Sequence, residues 1–170
     1  MKNIIKLFAI ATVVLGFATT SFAQVTKTAL ATGTIVTPIA LVNAGDMNFG
    51  NVAVSATSGT VILAPAGTRT TTGGVTLPAV PGSVTAAQFA VTGTPAYTYA
   101  ITLPTTATTV TSGGNTMSVD AFTSSPSLTG VLDAAGKQTI SVGASLNVGA
   151  AQAAGIYVSA TPFDVTVNYN

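Results

Sequence analysis

The sequence predicts an all-β protein, an antiparallel β-sandwich of about nine or ten short strands. Three observations predict it. Apolar and polar residues alternate with a period of two almost throughout, the pattern of half-buried strands. Gly, Pro, Asn and Ser interrupt that alternation at intervals of about 8–12 residues, the spacing of strands in a sandwich or barrel. From residue 24 onward the chain holds 28 Thr, many Val and Ala, and no Trp. Such β-branched side chains fit a pleated surface, and glycine supplies the turns.

The first strand is expected at residues 32–42, TGTIVTPIALV, with Pro38 marking an edge or a bulge. MNFGNVAV follows, then GTVILAP at residues 59–65. GTRTTTGGVTLPA reads as a hairpin turning at Gly73 and Gly74. SVTAAQFAVTG and AYTYAITLP form the next pair, with Gly93, Thr94 and Pro95 between them. TVTSGGNTMSVDAF reads as a second hairpin, turning at Gly113 and Gly114. SLTGVLD, KQTISVGASLNV and GIYVSATPFDVTVNYN complete the set. Only VGAAQAAG, residues 148–155, is compatible with a helical turn, and a connecting loop suits it equally.

Residues 1–23 read as a secretory signal peptide. Lys2 and Lys6 form a basic start, LFAIATVVLGFA is the apolar stretch, and SFA offers small residues for cleavage between Ala23 and Gln24. That apolar stretch falls short of the ~20 residues that span a bilayer. The expectation is export, through the periplasm in bacterial terms, to the cell surface or beyond, with no transmembrane segment in the mature chain. Residues 24–170 are expected to form one domain.

Charge excludes several classes of function. Without the signal segment the chain carries Lys27, Arg69 and Lys137 against Asp46, Asp120, Asp133 and Asp164. So few charges leave no footprint for nucleic acid and little repulsion between copies. There is no His and no Cys, hence no ready general base, thiolate or disulfide. The four Asp are scattered and Glu is absent, so neither a calcium-loop spacing nor a carboxylate pair appears. The expectation is a protein that is not an enzyme and has no cofactor or metal. Asp46 reads as a turn former.

Three stretches stand out. MNFGNV places Asn48, Phe49 and Gly50 at a tight bend, with Phe49 as a core anchor. In TPFDVTVNYN, Phe163, Val165, Val167 and Tyr169 alternate with polar residues, a structural strand whose loss should unfold the domain. In QVTKTALATGTIV, one face holds Val25, Lys27, Ala29, Ala31, Gly33 and Ile35, and neither face is strongly apolar.

MNFGNV, GGVTLPA, GNTMSVDAF and GIYVSATPFDVTVNY, in that order, resemble secreted bacterial proteins of the domain-of-unknown-function 4402 family. More distantly the layout is similar to chaperone–usher pilins and spore-coat-U-type pilus subunits. That resemblance implies an immunoglobulin-like sandwich lacking its final strand, with a groove beside the C-terminal strand. It implies a fibre or coat subunit that assembles by strand addition, using Phe163, Val165, Val167 and Tyr169 as the interface. Residues 24–37 would be the donor, inserting Ala29, Ala31, Gly33 and Ile35. The implied partners are copies of the chain or related subunits, with a periplasmic chaperone and an outer-membrane usher. The alternative expectation is a self-contained secreted sandwich that acts as an adhesin or binding module.

Overall fold

The computed structural model describes residues 23–170. The signal-peptide reading falls on residues 1–22 and lies outside the described residues, apart from the exposed Ala23 and Gln24 at its cleavage point. The chain divides into two units, one up to Thr34 and one from Ile35 to Asn170. In the first, residues 23–34 are exposed and carry no regular structure.

The second unit is an antiparallel β-sandwich, as the alternation predicts. Its strands are β1 (Ala40–Gly45), β2 (Gly59–Leu63), β3 (Arg69–Gly73), β4 (Ala87–Thr92), β5 (Thr98–Thr102), β6 (Thr108–Ser112), β7 (Asn115–Ser125), β8 (Thr129–Val131), β9 (Lys137–Val148), β10 (Val158–Ser159) and β11 (Thr166–Tyr169). Eight of them form one sheet, and β11, β5 and β8 form a second in that order.

Strand β9 is the spine of the larger sheet. One edge is shared end to end: Lys137–Val142 pair with β4, and residues 144–148 pair with β2. The other edge pairs with β7. Flanked on both sides, β9 buries Ile140, Val142, Ala144, Leu146 and Val148, the alternation its sequence shows. Gly143 sits where the edge passes from β4 to β2, and a Cβ there would overlap the Leu63 carbonyl. Glycine is needed at that point because another backbone approaches it.

Two buried clusters fill the interior. The first joins Ala87, Val91, Tyr99, Ile101, Leu132, Ile140 and Val142, between the two sheets. The second joins Val61, Val75, Val119, Ala144, Leu146 and Val148. Its cover is the MNFGNV segment, which supplies Met47, Phe49 and Val52. Burying each such aliphatic side chain contributes roughly 1.5–3 kcal/mol. The buried Tyr99 hydroxyl donates to Gln138 Oε1 at 2.6 Å, and that same oxygen accepts the Val131 N–H at 2.9 Å.

A bulge in β7 decides one core position. Asp120 pairs with Ser145 and Thr123 with Gly143, so three steps on β7 match two on β9. Ala121 takes up the extra residue at φ 48°. The shift turns Phe122 inward, where it packs against both clusters, although simple alternation from Val119 would send it to solvent.

Four sequence expectations need correcting. SVTAAQFAVTG and AYTYAITLP do not pair: the chain crosses between sheets at Gly93–Pro95, leaving β4 beside β1 and β9 in the larger sheet and β5 between β11 and β8 in the smaller. The first strand begins at Ala40 rather than at residue 32. Pro38 has no N–H to offer, and Thr37 spends its N–H on Thr94 Oγ1 and its carbonyl on side-chain hydroxyls. The hairpin expected at Gly73 and Gly74 turns elsewhere. Strands β2 and β3 pair with each other, and the turn is residues 64–68, closed by Gly67 N–H to the Ala64 carbonyl at 2.9 Å. Gly73 instead lies opposite Gly59 at the end of that ladder. MNFGNVAV makes only isolated bridges, Asn48 with Thr85 and Ala53 with Thr76. The hairpin at Gly113 and Gly114 forms as expected, with φ of 53° and 86°, the paired positive values of a tight hairpin turn.

Candidate functional site

The C-terminal stretch is built as its alternation suggests. Phe163, Val165, Val167 and Tyr169 are half-buried against the first cluster, and Asp164, Thr166, Asn168 and Asn170 are exposed. Phe163 meets Phe122 with ring centroids 4.9 Å apart and Phe89 edge-on at 6.3 Å. Tyr169 meets Tyr97 edge-on at 5.5 Å.

Strand β11 has a ladder partner on one side only among the described residues. It pairs with β5 from Thr166 opposite Thr102 to Tyr169 opposite Tyr99. The Asn170 N–H donates to the Thr98 carbonyl at 3.3 Å, which sets the phase. Hydrogen-bonded pairs alternate in an antiparallel ladder, so Asn168 and Thr166 also face β5. The main-chain N–H and C=O groups of Val167 and Tyr169 therefore point to the opposite edge. Their side chains are turned into the sandwich, and their backbones present an open row of donors and acceptors. Such an edge is a template for a further strand.

Tyr169 does more than end that row. Its hydroxyl donates to the Thr37 carbonyl at 2.9 Å and accepts the Thr94 N–H at 2.7 Å. The phenol thus joins β11 to the approach to β1 and to the crossing between β4 and β5. Thr37, Gly93 and Thr94 were not distinguishable as its partners by sequence, because they lie far away along the chain.

The expected donor residues are exposed. Ala29, Ala31 and Gly33 lie in the exposed, irregular residues 23–34, and Ile35 is 100% exposed. None of the four joins either buried cluster.

Asn48, Phe49 and Gly50 form a tight turn over the second cluster. Asn48 Oδ1 accepts the Gly50 N–H at 2.8 Å, and Gly50 has φ 67°. A Cβ on Gly50 would overlap the Pro81 carbonyl. The ring of Phe49 packs on the cluster beneath. Arg69 clamps the turn from outside: its Nη1 donates to the Phe49 carbonyl and, at 2.9 Å, to the Asn51 carbonyl. The sequence counted Arg69 only among the charges, because its partners lie 18 and 20 residues away and are main-chain carbonyls that no side-chain pattern marks.

Asp46 lies where the sequence puts a turn. Its Oδ1 accepts from Asn43 Nδ2 at 2.8 Å, and its carbonyl accepts from Thr85 Oγ1 at 2.9 Å. It also lines an open cleft of about 360 Å³ with Thr85, Gln88 and the turn residues Pro65, Ala66 and Gly67. Among the described residues no three His, Cys, Asp or Glu side chains converge as a metal site would require. No described helix is long and apolar enough to cross a membrane.

A family model described as a domain of unknown function, DUF4402, matches residues 39–169. The chain belongs to the DUF4402 family. The matched span begins just before β1 and ends at Tyr169, so the DUF4402 domain contains both sheets, the turn at Asn48–Gly50 and the open edge of β11. No curated protein and no solved structure matches the chain.

Proposed function

We propose that this DUF4402 protein is an exported, non-enzymatic structural subunit of a bacterial surface fibre or coat, assembling by β-strand addition along the free edge of β11. One observation carries the reading: β11 turns an apolar face into the core and leaves the main-chain groups of Val167 and Tyr169 without a ladder partner among the described residues. Strand addition of this kind draws its affinity from backbone hydrogen bonds and its register from alternate side chains. Residues 24–36, exposed as far as Ile35, are the proposed donor, which is the expected stretch 24–37 without the Thr37 that the sandwich holds; another copy or a related subunit supplies it. A periplasmic chaperone would hold the edge in transit and an outer-membrane usher would pass the subunit on.

A second reading is a self-contained secreted binding module or adhesin. It is favoured by the small side chains Ala29, Ala31 and Gly33 on the donor face, which would fill a neighbour's groove poorly, and the open cleft beside Asp46 is where a ligand would first be sought.

The test is a denaturing gel of native cell-surface material, with and without boiling, probed for this protein. A ladder of multiples that collapses to one band on boiling is the expected result. A single band of monomer size in both lanes excludes strand-exchanged polymers and directs attention to the cleft.

A further inference from the structure

Tyr169 stands at two places at once. Its backbone N–H and C=O belong to the open edge of β11, and its hydroxyl holds the Thr37 carbonyl at 2.9 Å. Thr37 is the residue at which the exposed N-terminal stretch meets the ordered sandwich: Ile35 is 100% exposed, and β1 begins at Ala40. The Thr37 attachment is doubled by Thr94, whose Oγ1 accepts the Thr37 N–H at 2.9 Å and donates to its carbonyl at 3.3 Å. Thr94 is in turn fixed by donating its own N–H to the Tyr169 hydroxyl at 2.7 Å. Three residues far apart in sequence thus form a closed set of hydrogen bonds centred on one phenol.

We propose that the Tyr169 hydroxyl is a latch that couples occupancy of the β11 edge to the order of the N-terminal segment's root at Thr37. The proposal rests on the reading of β11 as the acceptor edge. A strand added to that edge bonds the main chain of Tyr169, restrains its ring and so tightens the hold on Thr37. Thermodynamic linkage makes the effect reciprocal: an ordered root favours an occupied edge by the same factor. In a growing assembly, a subunit whose edge is filled would present its own segment from a fixed point, and an unfilled subunit would present it loosely.

The anchor point also selects the partner. A segment fixed at Thr37, beside the Tyr169 end of β11, lies parallel to β11 if it folds back along its own edge. Antiparallel addition in cis needs the chain first to run the length of residues 163–169, roughly 23 Å at about 3.3 Å per residue. That consumes about half of residues 24–36 before pairing begins, whereas a donor from a second copy spends none on the return, so antiparallel addition favours a second copy.

The absence of cysteine permits a clean test. A single nitroxide is placed at Val36→Cys in the full mature chain, alone and with Tyr169→Phe, and its mobility is read by electron spin resonance. A fluorescent peptide with the sequence of residues 24–36 is the probe for the edge. The latch predicts that Tyr169→Phe raises the mobile fraction of the label roughly fivefold, the equilibrium effect of one net hydrogen bond. It also predicts that bound peptide slows the label in the parent chain and leaves it unchanged in the phenylalanine variant.

Equal label mobility in parent and variant overturns the latch, whether or not the peptide binds. Peptide that binds without slowing the parent label overturns the coupling and leaves strand addition standing. Peptide that does not bind overturns the acceptor reading of β11 and the coupling with it. Exchange of the Thr94 amide in the unsubstituted chain provides a check independent of any variant: protection like that of core amides supports the latch, and exchange as fast as that of residues 24–34 overturns it.

Discussion

Gly93 and Tyr169 are packed so closely that a Cβ on the glycine would overlap the phenol oxygen. The space that glycine vacates is where the Tyr169 hydroxyl reaches Thr94 and Thr37. Leu132 Cδ1 would lie 3.0 Å from the same Cβ, so an alanine here crowds two side chains of the first cluster at once. Gly93→Ala should destabilise the sandwich by about 1–3 kcal/mol, the usual range for overpacking, read from urea denaturation. In a Tyr169→Phe background the same alanine should cost less, because the overlapping oxygen is gone. A double-mutant cycle returning strictly additive effects would mean that the two residues do not meet.

Arg69 contributes through geometry rather than through an ion pair. Its Nη1 bridges the carbonyls of Phe49 and Asn51, holding the turn that covers the second cluster. Arg69→Met keeps much of the aliphatic stem and loses both bonds, with an expected loss of about 1.5–3 kcal/mol for charged hydrogen bonds. Arg69→Lys should recover only part of it, since a single ammonium lacks the planar fork. Thermal unfolding of the three proteins side by side checks the order.

Tyr99 predicts an alkaline limit to stability. Burial of its phenol raises its pKa above tyrosine's ordinary value of about 10. Above the ordinary value the unfolded chain releases this proton more readily than the folded one, so the unfolded state binds fewer protons and stability falls as pH rises. The contribution is intact below that value and is lost between the ordinary and the raised value. Urea midpoints measured from neutral to strongly alkaline pH should show that decline, and Tyr99→Phe should flatten it. The variant should also be less stable at neutral pH, because Gln138 Oε1 loses its phenol donor.

Phe163 ties β11 to the larger sheet through Phe89 and Phe122. Phe163→Ala should cost about 2–4 kcal/mol, somewhat below a fully buried phenylalanine because the ring is half-exposed. Removing residues 163–170 altogether also strips the cover from Ile101 and the Tyr99 ring, and the truncated chain should fail to fold cooperatively. A cooperative thermal transition in the truncated chain would show that β5 and β8 do not depend on β11.

What the sequence determined alone was everything that depends on neighbours along the chain. The period-two alternation identified β9 over its full length, from Lys137 to Val148, and the inward set Phe163, Val165, Val167 and Tyr169. The Gly113 and Gly114 pair identified its hairpin, because a two-residue turn is a local matter of positive φ. The family span was legible in short ordered motifs such as MNFGNV.

Only the tertiary structure decided the rest, and the reason is common to each case. Gly73 and Gly74 look like a turn locally, but β2 pairs with β3 so that the turn falls at residues 64–68. Phe122 reads as outward until the bulge at Ala121, set by pairing with β9, reverses its side. Residues 32–39 alternate like a strand, yet Thr37 is held by side chains from Thr94 and Tyr169 instead of by a ladder. A pattern of alternation fixes which residues can share a face; which backbone lies alongside is chosen by contacts between distant segments, and no local periodicity encodes that choice.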